Sequence, residues 1–401
     1  TRENEAVNTV ELGGVAIGVD DLDSTPAIAF DRARMREGNA WCLCRSDRPR
    51  LVIRCRDGRW HLARWPGDRD SHAIGCHYRG VEPQLSGASH YKGAVTESED
   101  GNRLRVDVAL VSLSAATTRK PRKTRKTPAT PTTSRNTMTL GGLLHYLWEA
   151  AGLNTWKPGN TTKWGAIARR LETAADTCTI NGDSAALYIV PGWHQSRQQI
   201  LADRFARFRQ RLSASQRGLI IADLKAIEKS TYGHQLILRA LPRNNKIYID
   251  TDALASWRKS YPTAIASIAN EEARCIGIWL IDQTRSGNLR ANEAALMATT
   301  MEGIPADSSH ELTMARHIIH AGQPFLKPLR YDATEAVFPD FVLTTTTPET
   351  YIEVYGIHGN TAYDKRKAAK QAHYREAGIP VIEWDATKGA VMPCLKPTRL
   401  L

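Results

Sequence analysis

The sequence predicts a multidomain α+β protein, and three observations carry that prediction. Two close pairs of cysteine and histidine, Cys42-Leu43-Cys44 and His72-Ala73-Ile74-Gly75-Cys76, sit among short strand-like runs near the start of the chain. A stretch rich in Thr, Pro, Ala, Lys and Arg, from Ser114 to Thr137, holds almost no large apolar residue and cannot order itself by burial. The end of the chain shows helical and strand periodicity in the order α-β-β-β-α-β. The expected division is a small β-rich Cys/His module at 1–112, a basic disordered linker at 113–137, a central mixed α/β domain at 138–305 and a C-terminal αβββαβ domain at 306–401.

Length and charge narrow the function. The 401 residues, 42% of them apolar, are enough for two or three domains with sizeable cores. The net charge of +12 points to a polyanionic partner, nucleic acid before membrane. No run of 18 apolar residues occurs, and Thr1-Arg2-Glu3-Asn4-Glu5 does not read as a signal peptide. The expectation is a cytoplasmic protein without membrane contact. In that reducing compartment the seven cysteines are metal ligands or core thiols rather than disulfides.

In the N-terminal module, strand-like runs cover 50–54, 59–62 and 104–108. Two pairs of soft ligands separated by a hairpin are how a structural Zn²⁺ is held tetrahedrally, with no open position. The expected set is Cys42, Cys44, His72 and Cys76, with Cys55, His61 and His77 as substitutes. Such a site staples a module with a thin core, and it can also present Arg45, Arg48, Arg50, Arg54 and Arg56 to nucleic acid. Cys178, Cys275 and Cys394 stand alone and are expected to be buried thiols.

Within the linker, Arg119 to Lys126 is a polycationic run, either a solvated spacer or a transient phosphate contact. Beyond it, 140–151 and 164–178 show helical spacing, and 185–190 reads as a strand ending at Pro191-Gly192. These could form a winged-helix-like unit. An Arg-rich helix follows over 194–212, then strands at 218–226, 234–240 and 246–250, a helix from Thr251 and a strand at 275–281.

The C-terminal stretch is the most informative. Ser309-His310-Glu311 opens a helix (Leu312, Ala315, Ile318, Ile319) that stops at Gly322. Strands are expected at 324–329, 337–343 and 350–355, a helix over 362–377, and a last strand at 380–384. The second and third strands carry one carboxylate each, Asp340 and Glu353, across a Thr-rich turn ending in Pro348. A hairpin brings two such acids together, as a divalent-metal site for phosphodiester cleavage requires.

This order and these residues resemble the PD-(D/E)XK, or restriction-endonuclease-like, superfamily, whose signature is Pro-Asp on one strand and Asp/Glu-X-Lys on the next. Pro339-Asp340 matches the first element and Glu353-Val354-Tyr355 the second, with Tyr355 where lysine is expected. The resemblance covers 308–385. It implies a restriction-endonuclease-like fold and a catalytic Mg²⁺ or Mn²⁺ bound by Asp340, Glu353 and the Val354 carbonyl, with Glu311 as an additional acid. In some relatives a cation from the following helix replaces the missing lysine. Here Tyr363, Arg366, Lys370 and Tyr374 share one face of that helix. Lys370 is the first candidate and Arg366 the second, to orient the water or stabilise the phosphorane charge.

The layout as a whole resembles an uncharacterised family encoded on bacterial conjugative plasmids and integrative elements. That resemblance rests on Cys42-Leu43-Cys44, Leu62 to Gly67, His72 to Cys76, Leu143 to Trp148 and Ile352 to Gly356. The function expected from all this is a metal-dependent endonuclease acting on DNA ahead of RNA. The alternative is a non-catalytic nucleic-acid-binding protein with a degenerate nuclease fold. Double-strand cutting by one site per chain needs two chains, which makes a homodimer part of the endonuclease reading.

Overall fold

The computed structural model describes residues 9–56, 59–68, 71–73, 76–81, 85–111, 135–192, 198–213, 216–231, 233–241, 245–331, 338–356, 361–389 and 391–395. The polycationic linker run lies outside the described residues. No helix among the described residues is long and apolar enough to cross a membrane. The chain is a mixed α+β protein with several sheets.

The N-terminal sheet is antiparallel throughout, in the order Val15–Gly18, Thr9–Leu12, Asn39–Cys42, Arg50–Arg56, Arg59–Arg64. Residues alternate between half-buried and buried along Thr9–Leu12 and Asn39–Cys42, as a sheet with one packed face demands. The helix Ala27–Glu37 covers that face through Phe30 and Ala33 and ends at the left-handed Gly38. The strands expected at 50–54 and 59–62 are present. The first two strands and this helix escape periodicity analysis because each offers only one or two core residues.

Residues 85–110, grouped by sequence with the first module, pack elsewhere. Tyr91, Ala94, Leu104, Val106 and Leu110 share a core with the helices Leu140–Ala150 and Trp164–Asp176. Asn102–Leu104 pairs in parallel with Cys178–Ile180, so only the start of the expected 104–108 strand is strand. A chain that crosses the linker and returns leaves no trace in local periodicity.

The central region is built on long strands. Gly218–Ser230, Gly233–Leu238, Ile247–Ile249, Leu289–Thr300 and Ala273–Gln283 pair in that order, and the last also pairs with the first. The five strands therefore close on themselves, and Leu187–Ile189 and Pro305–Ala306 extend the sheet beside Gly218–Ser230 and Leu289–Thr300. Leu219, Ile221, Ile276 and Ile278 face the two helices just named, while Ile220, Ala222, Cys275 and Trp279 join Leu254 and Trp257 of the helix Thr251–Ser260. Burial on both faces is why these strands read as continuous apolar runs rather than alternating ones. The strand Leu289–Thr300 was not expected: its many alanines have weak β propensity, and pairing along its length with Ala273–Gln283 overrides that.

Trp279 fits the barrel core only because residue 277 lacks a side chain. A Cβ on Gly277 would stand 2.3 Å from the Trp279 ring and 2.8 Å from Leu296 Cδ2. Gly277→Ala is therefore expected to destabilise the fold by about 1–3 kcal/mol, the usual cost of overpacking, visible as a lower thermal midpoint.

The C-terminal unit has the sheet order Val381–Asp385, Thr350–Tyr355, Phe341–Leu343, Phe325–Leu326, Thr155–Trp156. The first pair is parallel and the others antiparallel. With the helices Ser309–His320 and Thr361–Glu376 the order along the chain is α-β-β-β-α-β. Ser308 caps the first helix by accepting a hydrogen bond from the Glu311 N–H at 3.1 Å. Met314, Ala315, Ile318, Phe325, Phe341, Ile352, Val354 and Trp384 fill the core. The fifth strand, Thr155–Trp156, comes from the central stretch, where no strand was expected.

Candidate functional site

Cys42 ends its strand and Cys44 follows two positions on. Extended backbone points residues i and i+2 to one side, which is what makes the tight Cys-x-Cys pair workable. His72 and Cys76 face them, with Cys76 N–H donating to Ala73 O at 3.1 Å. Arg79 donates to His72 O at 2.7 Å. All four side chains are buried, and their ligand atoms lie within 4.8 Å of one another. Cys42 and Cys76 Sγ are 3.5 Å apart, and His72 Nδ1 is 3.5 Å from Cys44 Sγ and 3.7 Å from Cys76 Sγ.

A Zn²⁺ with bonds of about 2.3 Å to sulfur and about 2.0 Å to nitrogen sets tetrahedral ligands about 3.5–3.8 Å apart. The cluster has that spacing and a closed, soft donor set, so it can hold a structural metal such as zinc. Without metal, the hydrogen bond between Cys42 and Cys76, aided by burial, pushes the Cys42 thiol well up. The same bond, together with His72, pulls Cys76 down to about 4. Cys55, His61 and His77 stand outside the cluster. Cys178 and Cys275 are buried as expected, but Cys394 is exposed.

The second site lies on the C-terminal sheet. Asp340 N–H donates to Ile352 O at 3.1 Å, and the Asp340 carboxylate reaches across the hairpin. Its Oδ2 accepts from Val354 N–H at 2.8 Å, and its Oδ1 from Arg330 at 3.1 Å. Glu353, 2% exposed, accepts from Lys370 Nζ on both oxygens at 2.9 Å and from the Tyr374 hydroxyl at 2.7 Å. Lys370 and Tyr374 are one helical turn apart on Thr361–Glu376, so both reach the same acid. Lys370 also donates to Phe338 O at 2.6 Å, which ties the helix to the strand entry. The side chains of Arg366 and Tyr363 lie outside the described residues. Tyr355, at the motif's lysine position, instead donates to Glu383 at 2.7 Å.

Glu311 is buried and accepts from Lys327 at 2.6 Å and from Asp307 N–H at 3.1 Å. Lys327 and Arg330 were not anticipated. They follow the short strand Phe325–Leu326, and only its pairing with Phe341–Leu343 brings them to the acids. Burial opposes the Lys327 charge, but Glu311, Asp307 and Asp340 outweigh it and hold the ammonium on. Four carboxylates (Asp307, Glu311, Asp340, Glu353) thus meet three cations (Lys327, Arg330, Lys370). Among the described residues the carboxylate oxygens do not converge as the Cys/His atoms do.

Burial first, then the field of Glu311, pushes Asp340 up to about 7. Between the usual carboxylate range and that value the folded chain keeps a proton that the unfolded chain has released. The stabilisation is complete below pH ~4 and is lost as pH rises through about 7, by up to about 4 kcal/mol. Asp340→Asn is therefore expected to melt above wild type at pH 8 without divalent metal. That advantage should shrink at pH 5, and thermal scans at the two pH values read it directly.

No curated protein and no solved structure matches the chain. A protein-family model described as "Protein of unknown function (DUF1173)" matches residues 20–387. The match takes in the Cys/His cluster, the barrel and the Asp340–Glu353 hairpin. Because it spans most of the sequence, the chain belongs to the DUF1173 family.

Proposed function

We propose that this protein is a divalent-metal-dependent nuclease of restriction-endonuclease-like fold, acting on DNA, with a zinc-stapled N-terminal module. One observation supports it above the rest. Two buried acids on adjacent hairpin strands, Asp340 and Glu353, meet Lys370 from the following helix. That is the position from which a cation replaces the lysine that Tyr355 displaces. Asp340, Glu353 and the Val354 carbonyl form an all-oxygen donor set suited to Mg²⁺ or Mn²⁺, which would supply the activated water and neutralise the phosphate. Val354 N–H orients Asp340, Tyr374 orients Glu353, and Lys370 is placed to stabilise developing charge. The mobile-element context expected from the sequence belongs to the same proposal.

A second reading, a binding protein with a degenerate site, draws on a specific contact. Lys370 occupies both Glu353 oxygens, and Arg330 holds Asp340. Cleavage of single- and double-stranded DNA with Mg²⁺ or Mn²⁺, wild type against Asp340→Ala, separates the two. Cleavage that disappears in the variant and on chelation supports the nuclease. DNA binding without wild-type cleavage supports the binding protein.

A further inference from the structure

In the closed barrel the strands Gly218–Ser230, Gly233–Leu238, Ile247–Ile249, Ala273–Gln283 and Leu289–Thr300, numbered one to five along the chain, pair as 1-2-3-5-4-1. The third and fifth are parallel. The helix Thr251–Ser260 lies between the third and fourth and sends Leu254 and Trp257 into the core. This is the topology of an OB-type barrel, a scaffold whose second and third strands take oligonucleotides or oligosaccharides. Topology is not a site, so the surface residues must decide.

Much of the barrel exterior is already used. Leu219, Ile221, Ile276, Ile278, Ala295 and Met297, on strands one, four and five, pack against the helical layer. The second and third strands send Leu236, Leu238, Ile247 and Ile249 inward, so Gln235 and Tyr248, paired in register, face out. Arg290 stands beside Tyr248 on the parallel neighbour. Lys246 shares the face of Tyr248 and is exposed, as is Arg285 in the loop joining the fourth and fifth strands. The opposing charges are Glu228, across from Gln235, Asp282, which accepts from Arg290 at 3.0 Å, and exposed Asp250, two positions from Tyr248 and within electrostatic reach of Arg290. Arg290 is held by Asp282, whereas Lys246 and Arg285 are exposed and form no ion pair among the described residues.

We propose that this face binds a single-stranded polynucleotide, with Tyr248 stacking on a base and Lys246, Arg285 and Arg290 holding phosphates. A base offers a π-face to the ring whatever its sequence, and the cations follow the backbone. The two exposed cations Lys246 and Arg285 and the net charge of +12 favour a polyanion over a neutral oligosaccharide. A duplex keeps its base faces stacked inside, out of reach of a tyrosine on a strand. The site is separate from Asp340 and Glu353, and its failure would leave the nuclease proposal standing.

Fluorescence anisotropy of the full chain tests it, with labelled oligo-dT, oligo-U and a duplex of equal length, in the Asp340→Ala background so that the probe stays intact. Tyr248→Ala should weaken single-strand binding about five-fold or more, while Tyr248→Phe, which keeps the ring, should not. The exposed pair Lys246→Glu/Arg285→Glu should weaken binding and flatten its salt dependence. Circular dichroism melts confirm that each variant folds. Preference for oligo-dT or oligo-U supports the site either way. Binding of the duplex alone, or single-strand affinity within two-fold of the parent in both Tyr248→Ala and the charge-reversed pair, overturns it.

Discussion

Replacing Lys370 by methionine is expected to cost the metal-free chain about 3 kcal/mol of stability and to abolish cleavage. Methionine keeps most of the apolar stem but removes every donor. Among the described residues Glu353, 2% exposed, would then keep only the Tyr374 hydroxyl, and the Phe338 carbonyl would lose its ammonium partner. Removing one member of a buried ion pair costs about 3–5 kcal/mol because the other charge stays behind. The lower figure applies because the Lys370 side chain is 17% exposed. Mg²⁺ should raise the melting midpoint of Lys370→Met more than that of wild type, since a cation would take the charge the lysine vacates. Loss of cleavage with Mg²⁺ still bound makes Lys370 part of the chemistry. Cleavage at the wild-type rate would reduce it to a counter-ion and remove it from the proposed mechanism.

The second large effect is expected at the cysteine–histidine cluster. Purified protein should carry one zinc per chain by atomic emission, and Cys76→Ser should carry little. Serine offers no thiolate, and structural zinc sites contribute about 10–16 kcal/mol of apparent binding energy in small modules. The core here is thin: Val10, Leu12, Phe30, Leu51, Ile53 and Leu62 with the cluster itself. Losing the metal should therefore unfold this module ahead of the barrel, as an early transition accompanied by loss of near-ultraviolet signal from Trp41, Trp60 and Trp65. A metal-free preparation whose Cys76→Ser variant melts as wild type does would sink the zinc proposal.

Both sites were legible in the sequence for different reasons. Soft ligands at Cys-x-Cys and His-x₃-Cys spacing form two tight pairs, so Cys42, Cys44, His72 and Cys76 identify themselves. Asp340 and Glu353 stand out because single acids interrupt two apolar runs joined by a turn. Lys370 was found through its helical spacing from Tyr374. The contacts of Lys327 and Arg330 were hidden, since nothing nearby in sequence says that 325–330 will lie beside 340. Lys327 does carry one overlooked signal, a charge within Phe325-Leu326-Lys327-Pro328-Leu329.

By itself the sequence determined the class of the chain, α+β with a Cys/His module and an α-β-β-β-α-β end, and it singled out the four Cys/His residues and, at the second cluster, Asp340, Glu353, Glu311 and Lys370. Those features are written in short-range periodicity, ligand spacing and turn chemistry, each readable within a few residues. Only the tertiary structure decided that the central strands close into a ring, that Leu289–Thr300 belongs to it, and that Thr155–Trp156 completes the C-terminal sheet. These depend on pairing between distant segments, where packing on both faces overrides local propensity. The face around Tyr248 is a product of that closure: the same ring of strands that buries Trp279 turns Gln235 and Tyr248 outward.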